Sequence, residues 1–322
     1  MRSACALLWK AAAIMLALTC AVAAQDYPNK TVRIVVPFPP GGFNDIVARH
    51  IAAHLTERFG KQVVVDNKSG AGGTIAGELV ANAPKDGHTL LIVSVAIALN
   101  PALRTMPYDT IKAFTPVAVI ATAPIVAVIN PDVPAKSLKE FVALAKQKPG
   151  ELKYASSGVG TFLHFGGELF KLAAGVDLLH VPFRGAGPAL IDVMGGHSQA
   201  SFASMPSVIG HVRSGKLRAL AVGGEKRAAA LPDIPTAAEG GVPTYQAANW
   251  IGIVAPAGTP EPVVALLHKE ISAIQDSAEL RQRFAAEGVD AMRMSMPEFG
   301  AFMVSETAKW GKVVKDANIK AE

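Results

Sequence analysis

Cysteine is almost missing from this chain: its 322 residues carry two, Cys5 and Cys20, both within the first 24 positions. Everything after position 24 is therefore without disulfides, thiol nucleophiles and thiolate metal sites. Charged residues make up 18% and aromatic residues 6%, while half of the sequence is hydrophobic, which excludes a disordered chain. The length excludes a stapled miniprotein and gives room for two ordinary domains or one large one. Glycine and proline follow no three-residue period, so the chain is no fibre. The net charge of +5 is scattered, with no run of Lys and Arg, and this excludes the electrostatic footprint of a nucleic-acid binder. Catalytic signatures are equally scarce. There is no GxSxG elbow, since Ala155 stands two before Ser157, no HExxH pair and no P-loop lysine.

What is present begins with an export signal. Arg2 and Lys10 precede an apolar run, Ala11 to Ala24, that is too short to span a bilayer and ends in small residues. Cleavage is expected after Ala24, with Val22 and Ala24 in the small −3 and −1 positions, or else after Ala23. Cys20 follows Ala17, Leu18 and Thr19, which does not suit lipid attachment. Arg2 and Lys10 leave without any acid, so the net charge falls from +5 to +3. No later stretch reaches the ~18 apolar residues of a membrane helix, and a soluble exported protein is expected.

The mature chain alternates short β-branched runs with helical patterns. Thr31–Val36, Gln62–Val65 and Thr89–Val93 read as strands, with helices from Ile46 to Leu55 and from Thr74 to Ala83 between them. That βαβαβ order predicts a parallel sheet buried on both faces. Thr115–Asn130 is a long β-prone stretch broken by Pro124, suited to leaving one domain for another. A second α/β series follows from the Ser137-capped helix to the strand Arg218–Val222. A further strand, Asn249–Ala255, precedes helices opened by Thr259-Pro260-Glu261 and near Ala278–Glu287 and Pro297–Lys315. No strands remain for a third domain. The C-terminal helices are therefore expected back on the first lobe, with Thr115–Asn130 and Tyr245–Ala255 as paired crossings and a cleft between the lobes. Ligands bind beyond the carboxyl ends of the strands in such sheets, so the strand-to-helix loops are the candidates.

Three loops stand out. Pro37–Asp45 carries Pro40, Gly41, Gly42, Phe43, Asn44 and Asp45 at a helix start, where exposed amides can bind an anion; the alternative is an ordinary turn capped by Asn44 or Asp45. Asp45 suits such a site only if water intervenes or backbone N–H groups hold its carboxylate. Gly70–Thr74 lacks the third glycine of a dinucleotide fingerprint, Ile75 standing there, and reads as close helix packing. Ser156, Ser157, Gly158, Gly160, Thr161 and His164 form a third loop dominated by neutral donors. His164 with Glu168 is read as structural or cleft-facing rather than as a base. His50, His54 and Glu57 share a helix face, but the apolar positions Ile51 and Leu55 put them on the solvated side, away from a metal role. Arg184 can pair with a carboxylate, though a loop arginine is more often solvent-exposed.

The fragments FPPGGxxDIVAR (Phe38–Arg49), VVVDNKSGAGGTIAG (Val63–Gly77), NPALRTMPYD (Asn100–Asp109), ASSGVGTFLHFGGELF (Ala155–Phe170), HVPFRGAGPAL (His180–Leu190) and LPDIPTAAEGG (Leu231–Gly241) occur in an order that resembles the Bug family. These are exported solute receptors of tripartite tricarboxylate transporter systems. The resemblance spans nearly all of the mature chain. It implies an α/β, type II periplasmic-binding-protein-like fold with lobe 1 at 25–122 and 249–322 and lobe 2 at 123–248. It further implies a small carboxylate ligand, a di- or tricarboxylate or an aromatic acid, delivered by a monomer to integral membrane transporter subunits, with no cofactor, metal or catalysis. The candidate site gains Ser94, Gly185, Ala186 and Ser204 from it. Periplasmic sensing, or an enzyme acting on small acids, are the alternatives. Phe43 stands where the family commonly has a small residue and should wall the pocket toward apolar or aromatic ligands. Ala203-Ser204 replaces a frequent Asp-Asn, which argues against recognition of an amino group, and Arg184 replaces a frequent lysine.

Overall fold

The computed structural model describes residues 27–316. The export segment, its cleavage site and both cysteines lie outside the described residues. The chain opens with β1 (Val32–Val36), α1 (Phe43–Phe59), β2 (Val63–Asn67), α2 (Thr74–Ala81) and β3 (Thr89–Ser94), with β2 and β3 both parallel to β1. Alternation along β1 explains its apolar run: Val32, Ile34 and Val36 pack with Val47, Ile51 and Leu55 of α1, whereas Val35 packs on the other face with Ala76 and Val80 of α2. Gly60 ends α1 in the left-handed conformation (φ 59°), which a glycine adopts without strain.

A helix that the sequence pattern did not flag follows β3 directly: α3 (Val95–Leu103). Its sequence, VAIALNPAL, is apolar all round and contains Pro101, so no amphipathic stripe marks it.

Next comes β4 (Phe114–Ile129), then α4 (Leu138–Gln147), where the Ser137 side chain accepts from the Glu140 N–H as expected. The second series is β5 (Lys153–Ser156), α5 (Phe162–Ala174), β6 (Leu179–Pro182), α6 (Ala186–Met194), β7 (Ala200–Ser204), α7 (Met205–Arg213) and β8 (Arg218–Val222). The chain finishes with β9 (Ala248–Pro256), α8 (Glu261–Gln275), α9 (Ala278–Glu287), the short β10 (Asp290–Ala291) and α10 (Met296–Asp316).

Strand order is β2-β1-β3-β9-β4-β7-β5-β6, with β8 and β10 also beside β4. β4 changes partners along its length. From Phe114 to Pro124 it lies antiparallel to β9; from Ile125 to Ile129 it pairs with β7, and β8 joins it from Val126. Pro124 sits at the handover and has no N–H to give either ladder. One residue on, the Ile125 N–H donates to the Ala247 carbonyl (2.9 Å) and the Ile125 carbonyl accepts from Gly223 (2.7 Å). β4 and β9 are thus the crossings, and the architecture is the two-lobed α/β fold expected.

The last helix returns to the first lobe, burying Phe299, Met303 and Trp310. Buried Glu306 anchors it by accepting from the indole N–H groups of Trp250 (2.9 Å) and Trp310 (2.8 Å). Close approach is possible because β9 offers Gly252: a Cβ there would lie 2.4 Å from Phe299 Cζ and 3.1 Å from the Ala118 carbonyl. Gly252→Ala is therefore expected to destabilise the protein by about 1–3 kcal/mol through overpacking, read as a lower midpoint in urea. An unchanged midpoint would show that α10 is not seated as described.

Candidate functional site

Six helices begin at one place. The N-cap residues of α1 (Gly42), α2 (Gly73), α3 (Ser94), α5 (Thr161), α6 (Gly185) and α7 (Ser204) come from both lobes, and each lines one or both of two adjoining cavities. This follows from the βα order: a strand running toward the cleft must turn there, so the following helix starts there. The first turn of each helix carries N–H groups with no intrahelical acceptor and the positive end of the helix dipole. The inner cavity, about 40 Å³, adds Phe43, Asn44, Ser157, Phe162, Leu163, Ala186, Ser207 and Asn249. The outer one, about 670 Å³, adds Ser69 to Gly73, Arg104, Gly158, Val159, Phe183 and Arg184. Phe38, Pro39, Ser157 and Thr161 belong to both. Among the described residues, no aspartate or glutamate lines either cavity.

Three buried polar atoms on the inner wall have no hydrogen-bond partner among the described residues: Asn44 Nδ2, Ser204 Oγ and Asn249 Oδ1. Each such atom costs about 1–3 kcal/mol. A small polar ligand that reaches all three offsets that cost, and its apolar part meets Phe43, Phe162 and Leu163.

Asp45 does not face this space. Its Oδ2 accepts from the Gly41 N–H (3.0 Å) and Arg49 Nε (2.9 Å), and its Oδ1 from Asn67 Nδ2 (3.0 Å) and Arg49 Nη2 (2.9 Å). Burial opposes ionisation of Asp45, but the bonds from Arg49, Gly41 and Asn67 prevail and hold its pKa below the ordinary carboxylate value. The acid beside the anion site is thus clamped and neutralised by its own lobe. It is also not the cap of α1; Gly42 is, with no side-chain bond.

The β5–α5 loop is held equally firmly. Thr161 Oγ1 donates to the Gly158 carbonyl (2.7 Å) and accepts from Ser157 Oγ (2.9 Å), and the Gly158 N–H donates to Ser156 Oγ (3.1 Å). Beneath it, His180 lies 2.6 Å from Ser156 Oγ through Nε2 and stacks between Tyr154 (4.9 Å) and His164 (4.2 Å).

The lobes touch at the rim. A Cβ on Gly185 would lie 2.8 Å from Pro39 Cγ, at a φ of +121° that already disfavours other residues, and one on Gly42 would meet Ala186 at 3.9 Å.

The structure thus gathers Gly42, Phe43, Asn44, Ser94, Ser157, Gly158, Thr161, Gly185, Ala186 and Ser204 around the two cavities. Pro40, Gly41, Asp45, Ser156, Gly160 and His164 are not on these walls; Pro40 is exposed, and the other five take part in hydrogen bonds that brace the loops. Buried His164 faces the His180 stack, and its Nδ1 accepts from the Gly160 N–H (3.3 Å). Sequence reasoning missed Asn249, Ser207, Arg104 and the Ser69–Gly73 turn as wall residues. The turn does stand out in the sequence as a strand-to-helix loop, but without a complete dinucleotide fingerprint it reads as helix packing. Asn249 on a crossing strand carries no local signal. His50 meets Glu287 (3.3 Å) rather than Glu57, and no cluster of three metal-ligating side chains occurs among the described residues.

Two α/β lobes, two crossing strands and a cleft of helix starts define a solute-binding protein of the periplasmic-binding type. Comparison with known families places it further: residues 47–319 match the tripartite tricarboxylate transporter family receptor, and the chain belongs to that family of solute-binding receptors. It is 36% identical over 302 residues to Protein BugT of Bordetella pertussis, covering 93% of each chain. Among solved structures it is similar to Rpa4515 of R. palustris with adipate, with a TM-score of 0.89 and 37% identity over 92% of this chain and 99% of that one. MatC from Rhodopseudomonas palustris with bound malate gives 0.84 and 33%, over 89% and 100%.

Burial, then the neighbouring His164 and Lys171, push the His180 pKa down to about 3. The folded protein keeps this ring neutral while the unfolded chain protonates it near the ordinary value of 6.5. The stability it contributes is complete above pH 6.5 and is lost as pH falls from there toward 3. His180→Gln should flatten the stability profile between pH 6.5 and 4 in urea titrations at stepped pH. An acid limb as steep as that of the wild type would refute the assignment.

Proposed function

We propose that this protein is an exported receptor that captures one small carboxylate between its lobes and hands it, unaltered, to membrane subunits of a tripartite tricarboxylate transporter system. The observation that carries this reading is the convergence of six helix N-termini on a cleft with no acidic wall residue among the described residues. Such a site attracts an anion through dipoles and neutral donors, which limits desolvation cost and leaves the ligand free to depart. The wall residues bind and orient; they pair no nucleophile with a base. Adipate and malate in the related structures are carboxylates of the kind proposed. Ala203 and Ser204 supply no carboxylate for a ligand ammonium, so an acid without a recognised amino group fits better. The N-terminal export signal supports a periplasmic location after cleavage near Ala24, and a single chain contributes both walls of the cleft.

A thermal-shift screen of the mature chain against mono-, di- and tricarboxylates and aromatic acids tests the proposal. The midpoint should climb with concentration of the cognate acid, by the equivalent of about 2.7 kcal/mol at a hundred times Kd. Turnover of an acid without stabilisation by any would overturn it. Asn44→Ala and Ser204→Ala should each weaken that acid about three- to tenfold in calorimetry. Phe43→Ala should change the ratio of affinities between benzoate-like and short aliphatic acids, and an unchanged ratio would remove Phe43 from the selectivity of the pocket.

A further inference from the structure

The outer cavity is built differently from the inner one. It holds formal positive charge: Arg104, the C-cap residue of α3 in the first lobe, and Arg184, on the β6–α6 loop of the second. Neither takes part in an ion pair among the described residues. Arg104 is half-buried; its Nε is shut off from solvent with no hydrogen-bond partner among the described residues, and Nη2 has one long contact, 3.5 Å to the Val159 carbonyl. A guanidinium has five N–H donors, and a half-buried one with a single long bond is under-used. Other arginines of this chain are better served: Arg49 is paired with Asp45, and Arg218 donates to the carbonyls of Val133 and Ala135.

The seat of Arg104 is also prepared. A Cβ on Gly160 would lie 2.4 Å from Nη2, and one on Gly72 would lie 3.5 Å from it, so a glycine from each lobe leaves room for the guanidinium. Gly160 lines neither cavity, and its φ of +77° calls for glycine as well. The outer cavity shares Phe38, Pro39, Ser157 and Thr161 with the inner one, so a single elongated ligand can run from one into the other.

We propose that Arg104, with Arg184 opposite, forms a second anion subsite that selects ligands carrying a second negatively charged group away from the end held in the inner cavity. This rests on the receptor reading above and deepens it. The fork of Arg104 suits a carboxylate, which would complete its missing hydrogen bonds. Because Arg104 and Arg184 belong to different lobes, an anion between them also ties the lobes together.

The test is calorimetry on the mature protein with α,ω-dicarboxylates from succinate to suberate and the monomethyl ester of each. Arg104→Gln should weaken the best dicarboxylate by about 10- to 100-fold, the range for hydrogen bonds to a charged group, and leave its monoester within about threefold. Arg104→Lys should recover part of the loss, since charge is kept and the fork is not. Arg184→Gln, on the exposed rim, should reduce the same preference by a smaller factor and does not depend on the seat of Arg104. Equal loss for diacid and monoester, or no loss for either, would overturn the subsite while leaving the receptor reading intact. Failure of the wild-type protein to bind any acid would overturn both.

Discussion

Because β4 leaves its pairing with β9 at Pro124 and pairs with β7 from Ile125, the parallel strands of the two lobes end up with their carboxyl ends toward each other. Each following helix must then begin at the shared edge. The cleft, its positive potential and its supply of N–H groups all descend from that one arrangement. Pro124 enforces it locally, because a residue with no N–H cannot continue a ladder, while Gly223 and Ala247 take up the bonds of the next residue.

An anion site made of dipoles must keep formal charges of the wrong sign away, and Asp45 shows how. Its carboxylate sits in the first turn of α1, where it would repel the ligand, yet Arg49, Asn67 and the Gly41 N–H consume both oxygens. The same bonds fix the Pro37–Gly42 turn, so the residue that threatens the site also shapes it. On the opposite wall the Ser156–Thr161 loop is fixed by hydroxyls above and by the stack around neutral His180 below. The two lobes come close where Gly185 faces Pro39, since a Cβ on Gly185 would lie 2.8 Å from Pro39 Cγ.

Much of this was legible beforehand. The βα order, the long crossing at Thr115–Asn130 and the glycine- and serine-rich turns gave the two lobes and most of the inner wall. Buried parallel strands need β-branched runs, and helix starts need small or hydroxyl residues, so both leave local marks. Helix α3 left none, because apolar residues fill its exposed last turn as well as its buried face. His164 was readable as a helix-start residue, but not the fact that His180 would draw it inward, away from the ligand space. Arg104 and Asn249 were invisible because they reach the cavity from a helix end and a crossing strand, neither of which has a ligand-binding pattern.

The sequence by itself determined that the chain is an α/β protein of two lobes whose turns offer neutral donors, since periodicity and turn chemistry are local properties. It also placed the chain in its family through the order of those turns. Only the tertiary structure decided which turn residues line the cavities and which stand behind them, and that Asp45 is held by Arg49, Asn67 and the Gly41 N–H. It alone set two arginines from different lobes around one cavity. Those outcomes depend on distances between segments far apart in the chain, which the packing of the lobes sets and no local pattern encodes.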